Sequence, residues 1–175
     1  MKKVLVIGSP GAGKSTLARR LGVITGLPVI HLDRLYFKPG WIETPLSEWI
    51  RIQEDLVKQA EWIIDGTYGK TLDIRLRQAD TVIFLDVSRY ICLWRAMKRI
   101  QQHYGDTRGD MAEGCEERLD GEFLRYIWRF PRDQRPRILS QLQQAHLRGS
   151  KIIHLRHSSE ISHFLESLMT AIEKE

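Results

Sequence analysis

The segment Gly8-Ser9-Pro10-Gly11-Ala12-Gly13-Lys14-Ser15 sets three glycines, an ammonium and two hydroxyls within eight residues. Those residue types at that spacing suit the holding of phosphates. Glycines let backbone N–H groups turn toward an anion and approach it closely. A helix beginning at Lys14 directs the positive end of its dipole at the same anion. The Lys14 ammonium then reaches the β- and γ-phosphates of a nucleoside triphosphate, and the Ser15 hydroxyl ligates Mg²⁺. Every fixed position of G-x-x-x-x-G-K-[ST] is matched, between an apolar run and a helical pattern, which is the context that confirms the motif. The expected ATP-binding set is Gly8, Ser9, Pro10, Gly11, Ala12, Gly13, Lys14, Ser15 and Thr16.

Three further groups carry chemistry. Asp33 is followed by Arg34, Tyr36, Phe37, Lys38 and Trp41. Its carboxylate can take a proton from an acceptor hydroxyl or hold Mg²⁺-bound water, and the aromatics can stack on a ring; the alternative is a structural corner with buried aromatics. Asp65-Gly66-Thr67-Tyr68 suits a metal-facing carboxylate beside a closely packed substrate, against the alternative of a simple turn. Arg95 and Arg99 lie four apart, on one helix face, and Arg108 follows in a glycine-rich stretch. Such arginines can spread over the equatorial oxygens of a transferring phosphoryl group; the alternative is a solvated helix face. The catalytic set is thus Lys14, Asp33, Asp65, Arg95, Arg99 and Arg108, with Ser15 and Asp65 as metal ligands.

The elements that must position these groups alternate between apolar runs and helical patterns, which implies βαβ units and a parallel sheet. Strands are expected at Lys3–Gly8, Pro28–Asp33, Trp62–Asp65, Thr81–Asp86 and Lys151–Leu155. Helices are expected at Lys14–Thr25, after a Thr44-Pro45 cap, from Arg89 to His103, at about 121–130 and 134–147 with a break at Pro131, and at the C-terminus with Ile161, Phe164, Leu165, Leu168 and Ile172 on one face. Ligands of open α/β sheets bind beyond the carboxyl ends of the strands. Asp33, Asp65 and Asp86, each closing a strand, should therefore gather with the glycine loop at one rim. Residues 104–120 lack apolar periodicity and are rich in Gly, Asp and Arg, as a functional lid would be.

Composition bounds the rest. The 175 residues favour one domain, and 42% apolar content supports a packed interior. No apolar run approaches the roughly 20 residues of a membrane-spanning helix, and the N-terminal run is too short for a signal peptide, so a cytoplasmic location is expected. Cys92 and Cys115 make neither a zinc site nor a disulfide framework; Cys92 reads as core and Cys115 as loop. The net charge of +5 suits a phosphate-bearing partner, whether nucleotide or nucleic acid. Neither an Asn-Lys-x-Asp motif nor an acidic pair closing a strand is present. A small kinase remains, transferring a phosphoryl group from ATP to a small acceptor; the residue types do not select among nucleotide, nucleoside and metabolite, nor an oligomeric state.

The strings Gly-Leu-Pro-Val-Ile-His-Leu-Asp (26–33), Pro39-Gly40-Trp41, Glu48-Trp49, Trp62-Ile63-Ile64-Asp65-Gly66, Thr71-Leu72-Asp73-Ile74-Arg75-Leu76 and Ala79-Asp80-Thr81-Val82-Ile83-Phe84-Leu85-Asp86 carry a resemblance, continued by Cys92-Leu93-Trp94-Arg95, Lys98-Arg99, Asp110-Met111, Gly114-Cys115, Glu122-Phe123-Leu124 and Ile127-Trp128. Over nearly its whole length the chain resembles the adenylate-kinase-related proteins labelled DNA topology modulation proteins. The resemblance implies a three-layer P-loop NTPase fold, with a five-stranded parallel sheet in the order 2-3-1-4-5 and helices on both faces. It also implies ATP binding and a mobile lid. Gly109, Glu116 and Ser88 depart from the family pattern and would loosen the backbone locally. The family label sets out an alternative, an ATP-binding regulator that associates with DNA. Residues 118–137 bear on it, with six arginines against three acids and Phe123, Tyr126, Trp128 and Phe130 interleaved. Phe123, Ile127 and Phe130 fall at helical core spacing, which favours a packed helix over direct nucleic-acid contact.

Overall fold

The chain is described here by a computed structural model, in which residues 1–107 and 109–172 are described. In chain order the elements are β1 (Lys3–Gly8), α1 (Lys14–Thr25), β2 (Val29–His31), α2 (Leu32–Tyr36), β3 (Phe37–Lys38), β4 (Ile42–Glu43), α3 (Leu46–Leu56) and β5 (Trp62–Asp65). They continue with α4 (Leu72–Leu76), β6 (Thr81–Leu85), α5 (Arg89–His103), α6 (Gly121–Asp133), α7 (Arg135–Leu147), β7 (Lys151–Leu155) and α8 (Ser158–Ile172).

Alternate residues of a strand face opposite sides of a sheet, and in β1 both sides are buried. Leu5 and Ile7 join Trp49, Trp62, Leu72, Phe84, Ile138 and Leu142 on one side. Val4 and Val6 join Leu17, Leu21, Cys92, Ala96, Ile127 and Leu165 on the other. Two separate apolar layers require helices on both faces, the setting in which parallel sheets form. All four pairings of the large sheet are parallel, and its order is β2-β5-β1-β6-β7. This is the 2-3-1-4-5 order once β3 and β4 are set aside, because those two-residue strands form their own antiparallel hairpin.

Several boundaries differ from expectation. The second strand stops at His31, and Leu32 and Asp33 open α2; the strand before Asp86 ends at Leu85. Thr44 caps no helix: its hydroxyl donates to the Tyr36 carbonyl at 2.6 Å, a tertiary contact that wins over the local cap. Pro131 does not break its helix. Residues 121–133 are continuous because Ile127 and Phe130 are buried, and the break falls at Gln134, with Pro136 in the first turn of α7, where proline is tolerated. Asp120 caps α6 by accepting from the Glu122 and Phe123 amides at 2.8 and 3.3 Å. The apolar face of α8 stops short of Ile172, which is exposed. Cys92 is core, as read; Cys115 is in the loop but is also buried. Among the described residues, no helix is long and apolar enough to cross a membrane.

Candidate active site

β1 ends in the middle of the sheet, and its last residue is gripped there. The Gly8 amide donates to the Thr67 hydroxyl at 3.0 Å, and the same hydroxyl donates to the Gly8 carbonyl at 2.7 Å. The chain then turns, with the Ala12 amide donating to the Ser9 carbonyl at 3.1 Å. Gly11 has φ +79°, and a Cβ there would collide with the carbonyl oxygen of Cys92. Gly13 caps α1 at φ +100°, a conformation that L side chains avoid. These constraints place the start of α1 at a cavity of about 1070 Å³. Gly8, Pro10, Gly11, Gly13, Lys14, Ser15 and Thr16 line it. Ser9 and Ala12 are buried within the loop instead. Burial pulls the Lys14 ammonium below its ordinary pKa, opposed by the negative charges of Asp33 and Asp65.

α2 places Asp33 on the same cavity, where its Oδ1 accepts from the Tyr68 hydroxyl at 2.6 Å. Burial, and then the Asp33 charge, push the Tyr68 phenol well above its ordinary range, so it remains a donor. Tyr68 has φ +37°, strained for a non-glycine residue. Asp65 is buried at the end of β5, but its Oδ1 pairs with His31 Nδ1 at 2.7 Å and it does not line the cavity. That hydrogen bond outweighs burial and raises the His31 pKa. Asp86 is held elsewhere, by Arg135 Nε at 2.9 Å and His154 Nε2 at 2.8 Å. Of the three strand-end acids expected at one rim, only Asp33 lines the cavity.

Arg95 and Arg99 both line it. Arg95 Nη1 donates to the Ala12 carbonyl at 3.3 Å, over the glycine loop. Arg99 Nε lies 3.1 Å from Glu117 Oε1, and Glu117 is almost fully buried. Arg108 falls outside the described residues. The opposite wall comes from residues 104–107 and 109–120, which dock on the β3–β4 hairpin. The Gly40 amide donates to the Gly114 carbonyl at 2.9 Å, Trp41 Nε1 to the Glu116 carbonyl at 2.9 Å, and Cys115 Sγ to the Lys38 carbonyl at 3.4 Å. Met111 is buried, whereas Leu119 is exposed.

A nucleotide fits this donor set, with the glycine loop and the cations Lys14, Arg19, Arg95, Arg99 and Arg118 around one cavity. For Mg²⁺, the Ser15 hydroxyl is at the cavity, whereas the Asp65 carboxylate is engaged by His31. Among the described residues, no cluster of three His, Cys, Asp or Glu would hold a metal on its own.

The order of the parallel sheet, with the glycine loop leading from its central strand into α1, decides the architecture. The fold is a P-loop fold. The P-loop chain is similar to a gluconokinase from Sinorhizobium meliloti 1021, with a TM-score of 0.54 and 13% identity, covering 99% of this chain and 92% of the other. It is likewise similar to a shikimate kinase from Acinetobacter baumannii in complex with shikimate, with a TM-score of 0.57 and 13% identity, covering 99% and 94%. No protein-family model and no curated protein sequence matches the chain.

Sequence reasoning missed the Thr67 grip on Gly8, Glu117 as the partner of Arg99, and the buried Arg75. Arg75 carried a usable signal: it sits with Leu72 and Leu76 on one inward face of α4, where a third apolar residue would be expected.

Proposed function

We propose that the chain is an ATP-dependent small-molecule kinase, one domain with a lid at about 104–120. One observation carries the reading: a phosphate loop with its lysine shares a cavity with Asp33, a carboxylate oriented by the Tyr68 hydroxyl. Lys14, Arg95 and Arg99, joined by Arg108, hold the charge of the phosphates. Asp33 accepts the proton of an acceptor hydroxyl as its oxygen bonds to the γ-phosphorus and the bond to the β-phosphate oxygen breaks. Ser15 would hold Mg²⁺, with Asp65 nearby, and the ion would supply positive charge against the phosphates. The gluconokinase and shikimate kinase likenesses support this reading at the level of fold.

The second reading, a DNA-associated regulator of the topology modulation family, has narrower support. Arg89 stacks 4.0 Å from the exposed Trp128 ring and offers a basic, aromatic surface. However, Arg135 is bound to Asp86 and Arg129 to Asp133 at 2.9 Å, so part of the 118–137 charge is neutralised internally. Incubation with ATP, Mg²⁺ and a metabolite pool separates the two. A compound gaining one phosphate supports the kinase. Slow ATP hydrolysis with no phosphorylated product, under conditions where nucleotide binds, would overturn it.

A further inference from the structure

We propose that Arg75, on α4 and outside the cavity, is a positioning residue that sets both the phosphate loop and Asp33 through the connection Gly66–Tyr68. Its side chain is fully buried. Nη1 donates to the Gly66 carbonyl, and Nη2 to the Thr67 carbonyl at 2.7 Å and the Tyr68 carbonyl at 3.3 Å. Three successive carbonyls thus converge on one guanidinium, which few other side chains could serve, because only a planar fork presents several donors to one side.

Two observations argue that this contact is more than packing. Burial lowers the Arg75 pKa to about 9, and no carboxylate charge counters that shift. An uncompensated buried cation is unfavourable, and an apolar residue between Leu72 and Leu76 would stabilise α4 more simply. The guanidinium therefore serves the carbonyls. Those carbonyls, in turn, belong to a connection with unusual backbone: Gly66 at φ +131° and Tyr68 at φ +37°. Such conformations persist when surrounding contacts over-determine them.

The connection has two outputs. Thr67 sends its hydroxyl to both the amide and the carbonyl of Gly8, where the phosphate loop begins. Tyr68 sends its hydroxyl to Asp33. One buried cation thereby fixes the spacing between the phosphate-holding and proton-accepting parts of the cavity. This rests on the nucleotide-binding reading of the site.

The test uses the full chain with Arg75→Lys, Arg75→Met and Thr67→Val. Thr67→Val keeps the shape and all contacts of the guanidinium while removing the grip on Gly8. Affinity for a non-hydrolysable ATP analogue with Mg²⁺ is measured well below each variant's melting temperature. Hydrogen exchange is read at the Gly8 amide. Arg75→Lys and Thr67→Val should each weaken binding about tenfold, and the double variant should do no worse than the weaker single, because both act on one linkage. Gly8 exchange should accelerate in both. A purely structural arginine would lower the melting temperature but leave affinity and Gly8 exchange as in the wild type, and that outcome overturns the proposal. If the Arg75 variants fail to fold, Thr67→Val decides alone: wild-type affinity and wild-type Gly8 exchange refute the linkage. If the wild type itself does not bind the analogue, the nucleotide reading fails, and Gly8 exchange in Arg75→Lys still decides whether the linkage exists.

Discussion

The phosphate loop is held from three directions. Thr67 grips Gly8, the backbone of Leu85 packs so closely that Gly8 tolerates no Cβ, and the Cys92 carbonyl does the same over Gly11. Across the cavity, residues 104–107 and 109–120 hold their place through isolated bridges at Tyr104–Glu117 and Thr107–Glu116, and through hydrogen bonds to a hairpin whose strands are two residues long. The first wall takes its shape from the core of the molecule. The second combines short polar bridges with a few buried side chains, Met111, Cys115 and Glu117, and has no strand longer than two residues behind it. The proposed kinase would use both kinds: a fixed receptor for charge, and a cover that can exclude water and then release product.

The comparison can be broken most severely at Lys14. Lys14→Ala should cut phosphoryl transfer about 1000-fold, as loss of a charge-stabilising donor does. It should weaken ATP binding at least about tenfold, since a charge-assisted contact is worth at least about 1.5 kcal/mol, and leave cooperative melting intact. Calorimetric affinity within about threefold of wild type would be incompatible with a receptor role for the loop.

Asp33 comes next, since it belongs to the cavity without belonging to either wall. With an acceptor in hand, Asp33→Asn should slow transfer about 100-fold, the usual range for a general base, with ATP binding preserved. Normal turnover in this variant would remove Asp33 from the chemistry.

Asp86 tests whether the fixed wall depends on structure beyond the cavity. Burial pushes its carboxyl up, but hydrogen bonds from Arg135 and His154 prevail and hold it below the usual carboxylate range. A depressed folded pKa contributes stability above the unfolded value of about 3.9, and that contribution is lost as pH falls through the folded value. Asp86→Asn should therefore cost about 1.5 kcal/mol at neutral pH and flatten the decline of melting temperature in acid. Equal acid limbs in the two proteins would show that the contact contributes nothing.

The smallest effect should follow from Trp41→Phe, which removes the hydrogen bond to Glu116. Losing about 1 kcal/mol locally should speed amide exchange across 104–120 roughly fivefold. The phosphate loop should not respond. Equal acceleration in both places would mean that the two walls are one cooperative unit.

The same contrast explains what could be read from the sequence. The glycine loop was legible because its motif is contiguous and its flanks, β1 and α1, have clear periodicity. β5, β6 and α5 were legible for the same reason. Asp33, Asp65 and Asp86 were indistinguishable as letters, since each follows an apolar run. Their roles depend on Tyr68, His31, Arg135 and His154, which lie 35, 34, 49 and 68 residues away. No local pattern encodes those pairings. α2, α4 and the β3–β4 hairpin were missed because elements of five residues or fewer show less than two helical turns or two strand repeats. Thr44 misled because a capping sequence and a tertiary hydroxyl contact look alike.

The dependence of Gly8 and Gly11 on Thr67, Leu85 and Cys92 has a consequence for the order of events when the chain is made. The motif is made before β5, β6 and α5, yet its own contacts, such as the Ala12 amide to the Ser9 carbonyl, define only part of its shape. Its supports arrive only after the chain has been extended through β6 and into α5, and parallel pairing of distant strands is slow to form. A nascent chain cut short before residue 81 would carry every letter of the motif and no site for a nucleotide.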